Sequence, residues 1–209
     1  MTIYFIIYFT INEHLSQYSA ILYLMKLILA QGNPGAQYHD TRHNVGFRML
    51  DAYANAHGAT FAEKSKFHAY VAEVSVDGEK ALLAKPTTFY NETGLSARAL
   101  VDFYKLSPAT DVLVLHDDIA LPLGTIRTRE KGSDAGNNGI KSLNAHLSDS
   151  YKRVRIGVWN ELADRMGATK FVLGNFSKDE QAGLAEIRPT ILQIIDEFAA
   201  DTFTITSYK

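Results

Sequence analysis

The sequence has no cysteine, five prolines and a single tryptophan among 209 residues. The lack of cysteine excludes disulfide bonds, thiolate metal ligands and a cysteine nucleophile, and it fits a reducing compartment such as the cytoplasm. Repeats, low-complexity tracts and linkers are also missing. With 46% hydrophobic residues, the chain is long enough to bury one sizeable core. We therefore expect a cytoplasmic protein with one main domain.

The N-terminal segment contains an apolar and aromatic run at residues 3–11. A run of this length is too short to cross a bilayer, which takes about twenty residues. No basic residue precedes it and no small-residue cleavage site is clear, which argues against a signal peptide. We expect residues 1–24 to be an extension before a domain at 25–209, with no membrane association. An incorrect start, an added strand or helix and an interaction segment all stay open.

Charge is unevenly distributed along the chain. Its net charge is −2, yet residues 125–155 contain seven basic and three acidic side chains. A local positive field on a mildly acidic protein suits a polyanionic substrate. Ordinary solvated surface charge is the alternative.

Hydrophobic periodicity predicts alternating strands and helices. Apolar runs at 27–30 and 112–115 predict buried strands, and apolar residues at helical spacing predict helices at 44–57 and 94–104. Further strands are expected at 69–76 and 80–83, joined by a hairpin turn at Asp77 and Gly78, and at 126–128 and 154–158.

The C-terminal region carries a helix start signal. Ser177 and Glu180 have capping-box spacing, and we expect Pro189 to interrupt the helix that they open, with a second helical run after it. Mixed strands and helices in a chain of this size predict a single three-layer α/β/α domain with a twisted mixed β-sheet.

His43 is the best candidate for a general base, because histidine accepts protons near neutral pH without special tuning. Asp117 follows the apolar run at 112–115, so it is expected at the carboxyl end of a central strand, where ligands of open α/β sheets gather. An aspartate there can orient the imidazole and stabilise its cation. Alternation directs the next residue, Asp118, elsewhere.

Three asparagines accompany these two residues: Asn33, Asn91 and Asn138. Each amide offers a donor and an acceptor without charge, which suits the orientation of a water molecule and of an ester carbonyl, or the stabilisation of an oxyanion. In isolation, each of these residues would more often be a turn or capping residue.

Four segments in this order resemble the bacterial peptidyl-tRNA hydrolase family from about Met25 to near the C-terminus. The segments are Gly32-Asn33-Pro34-Gly35-Ala36-Gln37-Tyr38 with Thr41-Arg42-His43-Asn44-Val45-Gly46, Thr87-Thr88-Phe89-Tyr90-Asn91, His116-Asp117-Asp118, and Gly136-Asn137-Asn138-Gly139.

The resemblance implies an esterase that hydrolyses peptidyl-tRNA in translation and ribosome rescue. It also implies that the enzyme acts as a monomer without a metal or cofactor. It implies that His43 is the base and Asp117 its orienter. It also implies substrate-binding residues, which are Asn33, Tyr38, Phe89, Tyr90, Asn91 and Asn138.

Arg127 and Arg129 alternate on a predicted strand, so both guanidinium groups face one way and suit a phosphate. The resemblance implies that they hold the 5′-phosphate of tRNA. Solvent-facing strand positions are the alternative.

Other functions stay open at this point. An RNA-binding module without catalysis and a small-molecule esterase are the two rival classes. His39 and His43 also have the i, i+4 spacing of a zinc helix, although the glutamate of that motif is missing and Pro34-Gly35 indicates a turn.

The chain departs from the family pattern at three places. Tyr90 stands where methionine is usual, and Asn137 where histidine is common. Trp159, Asn160 and Glu161 stand where the family has a glycine and a proline-containing loop.

Overall fold

The structure is a computed structural model that describes residues 25–76 and 78–208. The extension predicted for residues 1–24 therefore lies outside the described residues, as does Asp77 of the predicted hairpin turn. In the described part, no helix is both long enough and apolar enough to cross a membrane.

The described strands form one eight-stranded mixed sheet with the order β2-β3-β4-β1-β5-β7-β6-β8. The central strands β4, β1, β5 and β7 run parallel, while the remaining pairs are antiparallel. The strands are β1 Lys26–Ala30, β2 Ala62–Lys64, β3 Ala69–Val76, β4 Glu79–Pro86, β5 Val112–Pro122, β6 Ile126–Arg129, β7 Lys152–Trp159 and β8 Ser207–Tyr208.

Helices cover both faces of this sheet. The α-helices are α1 Val45–Ala56, α2 Thr93–Tyr104, α3 Pro108–Asp111, α4 Asn138–Leu147, α5 Leu162–Met166, α6 Ala168–Val172 and α7 Lys178–Ala199. Buried side chains of α1 and α7 pack in one apolar cluster, and those of α2 and α4 pack in another, with alternate residues of β1 and β5 divided between the two. The predicted three-layer α/β/α arrangement with a mixed sheet is confirmed.

The central strand β5 is longer than its apolar run predicted. It continues beyond Leu115 because Asp117 and Asp118 pair in parallel register with Ile156 and Gly157 of β7. A neighbouring strand thus holds polar residues in extended backbone at the end of the sheet.

The prediction that Pro189 interrupts the C-terminal helix is wrong, since α7 runs without a break from Lys178 to Ala199. Pro189 is exposed, so water can solvate the carbonyl that lacks its helical partner. Leu184 on one side and Ile191 on the other are both buried. Burial of this continuous apolar face outweighs the local cost of the proline. The capping box of Ser177 and Glu180 at the helix start is confirmed.

Candidate active site

The candidate site lies where the carboxyl ends of β1 and β5 meet. Asn33 follows β1, Asp117 lies in β5, and β1 and β5 are parallel neighbours. A cavity of about 700 Å³ opens beside the carboxyl ends of these two strands. Most residues of the predicted site line it: Asn33, Tyr38, His43, Phe89, Tyr90, Asn91, Asp117, Arg129 and Asn138.

A close approach of backbones brings His43 to this edge. A Cβ atom on Gly46 would lie 2.7 Å from the carbonyl oxygens of both Gln31 and Leu115. Because such a contact is not tolerated, only glycine lets the start of α1 sit against the ends of β1 and β5. His43, in the 3-10 turn Arg42–Asn44 just before α1, is thereby placed beside Asp117.

The His43 imidazole contacts the Asp117 carboxylate. His43 Nδ1 lies 3.0 Å from both Oδ1 and Oδ2 of Asp117. A carboxylate only accepts hydrogen bonds, so Nδ1 carries the hydrogen and Nε2 keeps its lone pair. The Asp117 side chain is 3% exposed and that of His43 16%. The carboxylate that faces the imidazole is thus shielded from water, while Nε2 of His43 is left without a hydrogen.

Tyr90 contacts both His43 and Asp117. Its ring stacks on the His43 ring with centroids 3.5 Å apart and an angle of 12° between the planes. Its hydroxyl donates to Asp117 Oδ1 at 2.6 Å. Burial, followed by the negative charge of Asp117, raises the pKa of Tyr90 well above its usual range, so the phenol stays protonated.

Asn33 is fixed by two reciprocal contacts with Asn44. The Asn33 N–H donates to Asn44 Oδ1 at 2.8 Å, and Asn44 Nδ2 donates to the Asn33 carbonyl at 2.9 Å. Asn33 Oδ1 accepts from the Tyr90 N–H at 2.9 Å. That contact defines the amide orientation and leaves Nδ2 to donate toward the cavity that Asn33 lines.

The remaining predicted binding residues form the rim. Asn91 and Asn138 are exposed, Tyr38 is half-buried, and Phe89 is 57% exposed. The arrangement therefore combines a largely buried histidine–aspartate pair with amides and an aromatic side chain at the cavity rim.

Basic side chains line the other side of the cavity. Arg127 and Arg129 of β6 pair in register with Arg155 and Arg153 of β7, so the four side chains share one face. Arg155 is ion-paired with Asp118 at 2.6 Å. The burial of Arg153 lowers the pKa of its guanidinium. Lys131 lines the cavity as well, whereas Arg127 lies outside it.

A buried ion pair anchors the turn that carries His43. Arg42 Nη2 donates to Glu180 Oε2 at 2.8 Å and to Oε1 at 2.9 Å. Arg42 also lies over the Phe171 ring, 4.2 Å from its centroid. Both charged residues are less than a tenth exposed. The start of α7 and the turn before α1 are thus held together.

His116 is the fully buried neighbour of Asp117. Its Nδ1 lies 2.8 Å from the Asp117 carbonyl oxygen. Burial lowers the pKa of His116, against the opposing effect of the charges on Asp118 and Asp117. A neutral imidazole that donates through Nδ1 satisfies this geometry.

The spacing of His39 and His43 left a zinc site open. Among residues 25–76 and 78–208, no three His, Asp or Glu side chains are grouped so that they could hold a metal ion. His39 is exposed and its Nδ1 lies 3.0 Å from Asp40 Oδ1. His39 follows the 3-10 turn Ala36–Tyr38 and His43 lies in the next 3-10 turn, Arg42–Asn44, so the two are not on one α-helix and their spacing does not place them on a shared face.

Comparison with known proteins identifies the family. The family model for peptidyl-tRNA hydrolase matches residues 27–208. The chain belongs to the peptidyl-tRNA hydrolase family. The peptidyl-tRNA hydrolase of Lactiplantibacillus plantarum is 43% identical over 182 residues, covering 86% of this chain and 96% of the relative. That of Gloeobacter violaceus is 44% identical over 177 residues, covering 84% and 88%.

A solved structure extends the likeness to the fold. The crystal structure of the Acinetobacter baumannii peptidyl-tRNA hydrolase matches with a TM-score of 0.78 and 28% identity, covering 85% of this chain and 89% of that one. Membership in the peptidyl-tRNA hydrolase family, which the four motifs predicted, is confirmed.

Sequence reasoning missed several contacts of this peptidyl-tRNA hydrolase family site. Asn44 lies in the first of the four motifs, but its contact with Asn33 depends on the fold of the turn. Asn137 was noted only as a departure, yet its side chain caps α4 and contacts Tyr90. The pairing of Arg155 with Asp118 joins adjacent strands and could be found only from their register.

Proposed function

We propose that this protein is an enzyme that hydrolyses the ester bond of peptidyl-tRNA and releases a peptide and free tRNA. The observation that carries the proposal is the 3.0 Å contact between His43 Nδ1 and Asp117, which leaves Nε2 as a base beside a large open cavity. Family membership over residues 27–208 supports the substrate.

In this mechanism, His43 Nε2 removes a proton from a water molecule as the water oxygen attacks the ester carbonyl carbon. The new C–O bond forms while the carbonyl electron pair moves onto oxygen. Asp117 stabilises the resulting imidazolium. When the tetrahedral intermediate collapses, the bond to the ribose oxygen breaks, and that oxygen takes a proton from His43 to give the free hydroxyl of tRNA.

The amides orient the reactants. Asn33 Nδ2 is a candidate donor to the oxyanion, because its other end is held by the Tyr90 N–H. We assign Asn91 and Asn138 to the peptide and the water, and Tyr38, Phe89 and Tyr90 to the walls against the substrate, since all of them line the cavity.

Arg127 and Arg129 are assigned to tRNA phosphate. Within the described part of the chain, neither forms an ion pair, whereas Arg155 is paired with Asp118. Guanidinium groups without a carboxylate partner are suited to bind phosphate.

Monomeric action in the cytoplasm completes the proposal. The absence of cysteine fits a reducing compartment.

The test compares N-acetyl-aminoacyl-tRNA with the ethyl ester of the same N-acetyl amino acid. We expect rapid cleavage of the tRNA ester and little cleavage of the ethyl ester. Binding of the tRNA without cleavage would indicate an RNA-binding module, and equal cleavage of both would indicate a small-molecule esterase. Either result would contradict the proposal.

A further inference from the structure

Tyr90 contacts both members of the proposed base pair at once. Its ring stacks on the His43 imidazole, and its hydroxyl donates to Asp117 Oδ1 at 2.6 Å. The same oxygen lies 3.0 Å from His43 Nδ1. One carboxylate oxygen therefore receives two donors, one from each aromatic ring. Removal of the hydroxyl alone would leave the stacking intact and change only this shared oxygen.

Asn137 determines which way the Tyr90 hydroxyl points. Asn137 Oδ1 accepts from the Ile140 N–H at 3.0 Å and caps α4, so its Nδ2 is the end that lies 3.1 Å from the Tyr90 oxygen. An amide Nδ2 only donates. The phenol oxygen therefore accepts from Asn137, and its single hydrogen is directed to Asp117.

The backbone around Tyr90 leaves no room for another position of its ring. A Cβ atom on Gly139 would lie 2.3 Å from Tyr90 Cε1, so the start of α4 packs directly on the ring. The Tyr90 N–H is held by Asn33 Oδ1, and Tyr90 is only 2% exposed. The ring is fixed from both sides before a substrate arrives.

We propose that Tyr90, held by Asn137, is a positioning residue that fixes the plane of the His43 ring and shares the negative charge of Asp117. This inference rests on the proposed function. A hydroxyl that donates to Asp117 reduces the charge that the carboxylate offers to the imidazolium. Loss of the hydroxyl therefore strengthens the hold of Asp117 on the protonated imidazole and makes His43 give up its proton less readily.

The other charged groups around this pair belong to β5 and β7. Asp118 is neutralised by Arg155, His116 is buried beside Asp117, and Arg153 lies within electrostatic range of His116. None of them contacts the Tyr90 hydroxyl, whose partners among the described residues are Asp117 and Asn137. A substitution of that hydroxyl therefore isolates the contribution of this contact.

The test uses the full chain with Tyr90→Phe, Asn137→Ser and the double variant, in single-turnover cleavage of N-acetyl-aminoacyl-tRNA across pH. Tyr90→Phe should lower the single-turnover rate about tenfold on the acid limb, where more of His43 is then protonated, while the substrate concentration for half-maximal rate stays within about twofold. The acid limb of the pH–rate profile should move to higher pH. Asn137→Ser keeps a capping oxygen on α4 but removes the Nδ2 donor that strengthens the Tyr90 hydroxyl as a donor to Asp117. Its acid limb should therefore also move to higher pH, with a rate loss there of about threefold.

The double variant decides whether Asn137 acts through Tyr90. If it does, Asn137→Ser should cause no further loss in the Tyr90→Phe background.

Tyr53→Phe is the matched control, because Tyr53 also donates to a carboxylate, Asp196, at 2.6 Å and packs on a histidine outside the site. Its single-turnover rate and pH profile should equal those of the unaltered protein.

Three results would overturn the inference: an unchanged pH profile in Tyr90→Phe, additive losses in the double variant, or an equal loss of single-turnover rate in Tyr53→Phe. If Tyr90→Phe does not fold, the shift of the acid limb in Asn137→Ser decides alone. If the unaltered protein does not cleave peptidyl-tRNA, the proposed function fails. The pH at which the His43 ring signals titrate by NMR then decides on Tyr90, and it should rise in Tyr90→Phe.

Discussion

Replacement of Glu180 by glutamine should destabilise the protein more than any exchange of a surface charge. The substitution keeps the shape of the side chain but removes the charge that neutralises the Arg42 guanidinium. Arg42 is 4% exposed, and Glu180 is its ion-pair partner among the described residues. A buried charge that loses its partner typically costs about 3–5 kcal/mol.

The same carboxylate serves two further groups, which adds to the expected loss. Glu180 Oε2 accepts from the Ser177 N–H at 2.6 Å in the capping box, and Oε1 accepts from Asn160 Nδ2 at 2.6 Å. Glutamine retains only one acceptor oxygen for these three partners. For a chain of this size, about 3–5 kcal/mol corresponds to a fall in Tm of roughly 6–20 °C.

Urea unfolding followed by far-UV circular dichroism measures this loss. The matched control is Asp102→Asn, which breaks the exposed i, i+4 ion pair of Arg98 and should cost less than about 0.5 kcal/mol. The double variant Arg42→Met with Glu180→Leu removes both charges and should recover most of the lost stability. A loss below about 1 kcal/mol in Glu180→Gln, or no recovery in the double variant, would refute the reasoning.

Three further predictions concern the site. Asp117→Asn should lower kcat by about 10⁴, as in other bases that lose their orienting carboxylate; retention of more than a tenth of the rate would contradict the role of Asp117. Arg127→Ala with Arg129→Ala should raise KM for full-length tRNA substrates and flatten its salt dependence, but leave cleavage of a minimal 3′-adenosine ester nearly unchanged; an equal loss on both substrates would remove the phosphate role. Burial lowers the pKa of His116 below the value of about 6.5 in the unfolded chain, so the stability that this neutral ring contributes is present above that pH and is lost as the pH falls. Urea unfolding between pH 7 and 5 should show this decline, and His116→Asn should flatten it; an unchanged slope in the variant would contradict the assignment.

Local signals predicted most of the elements of this fold. The apolar run at 112–115 and the helical spacing at 94–104 predicted β5 and α2, because burial of an apolar face dominates the choice of structure there. Pro189 shows the limit of local rules, since the apolar residues before and after it pack on the sheet and keep α7 continuous. Helix propensity describes only the local cost of the proline, and tertiary contacts decide whether the helix continues through it.

The sequence predicted that His43 and Asp117 lie together, but it did not predict the other contacts of the candidate site. His43 and Asp117 are 74 residues apart in the sequence. Their pairing was predicted because one is a base, the other is a carboxylate, and both were expected near the ends of secondary-structure elements. The Tyr90 hydroxyl on Asp117 could not be foreseen, because it depends on the 3-10 turn Tyr90–Glu92 and on the close packing of Gly139. Such contacts arise from the geometry of loops, which single residues do not encode.

The rate of ester cleavage in His43→Ala tests the central claim most directly. We predict that single-turnover hydrolysis of N-acetyl-aminoacyl-tRNA falls by about 10²–10⁴, while the Kd for tRNA changes little, because the base acts in the chemical step. His57→Ala, which removes a histidine outside the cavity, should retain the full rate. Retention of more than a tenth of the rate in His43→Ala would contradict the account of His43 as the base.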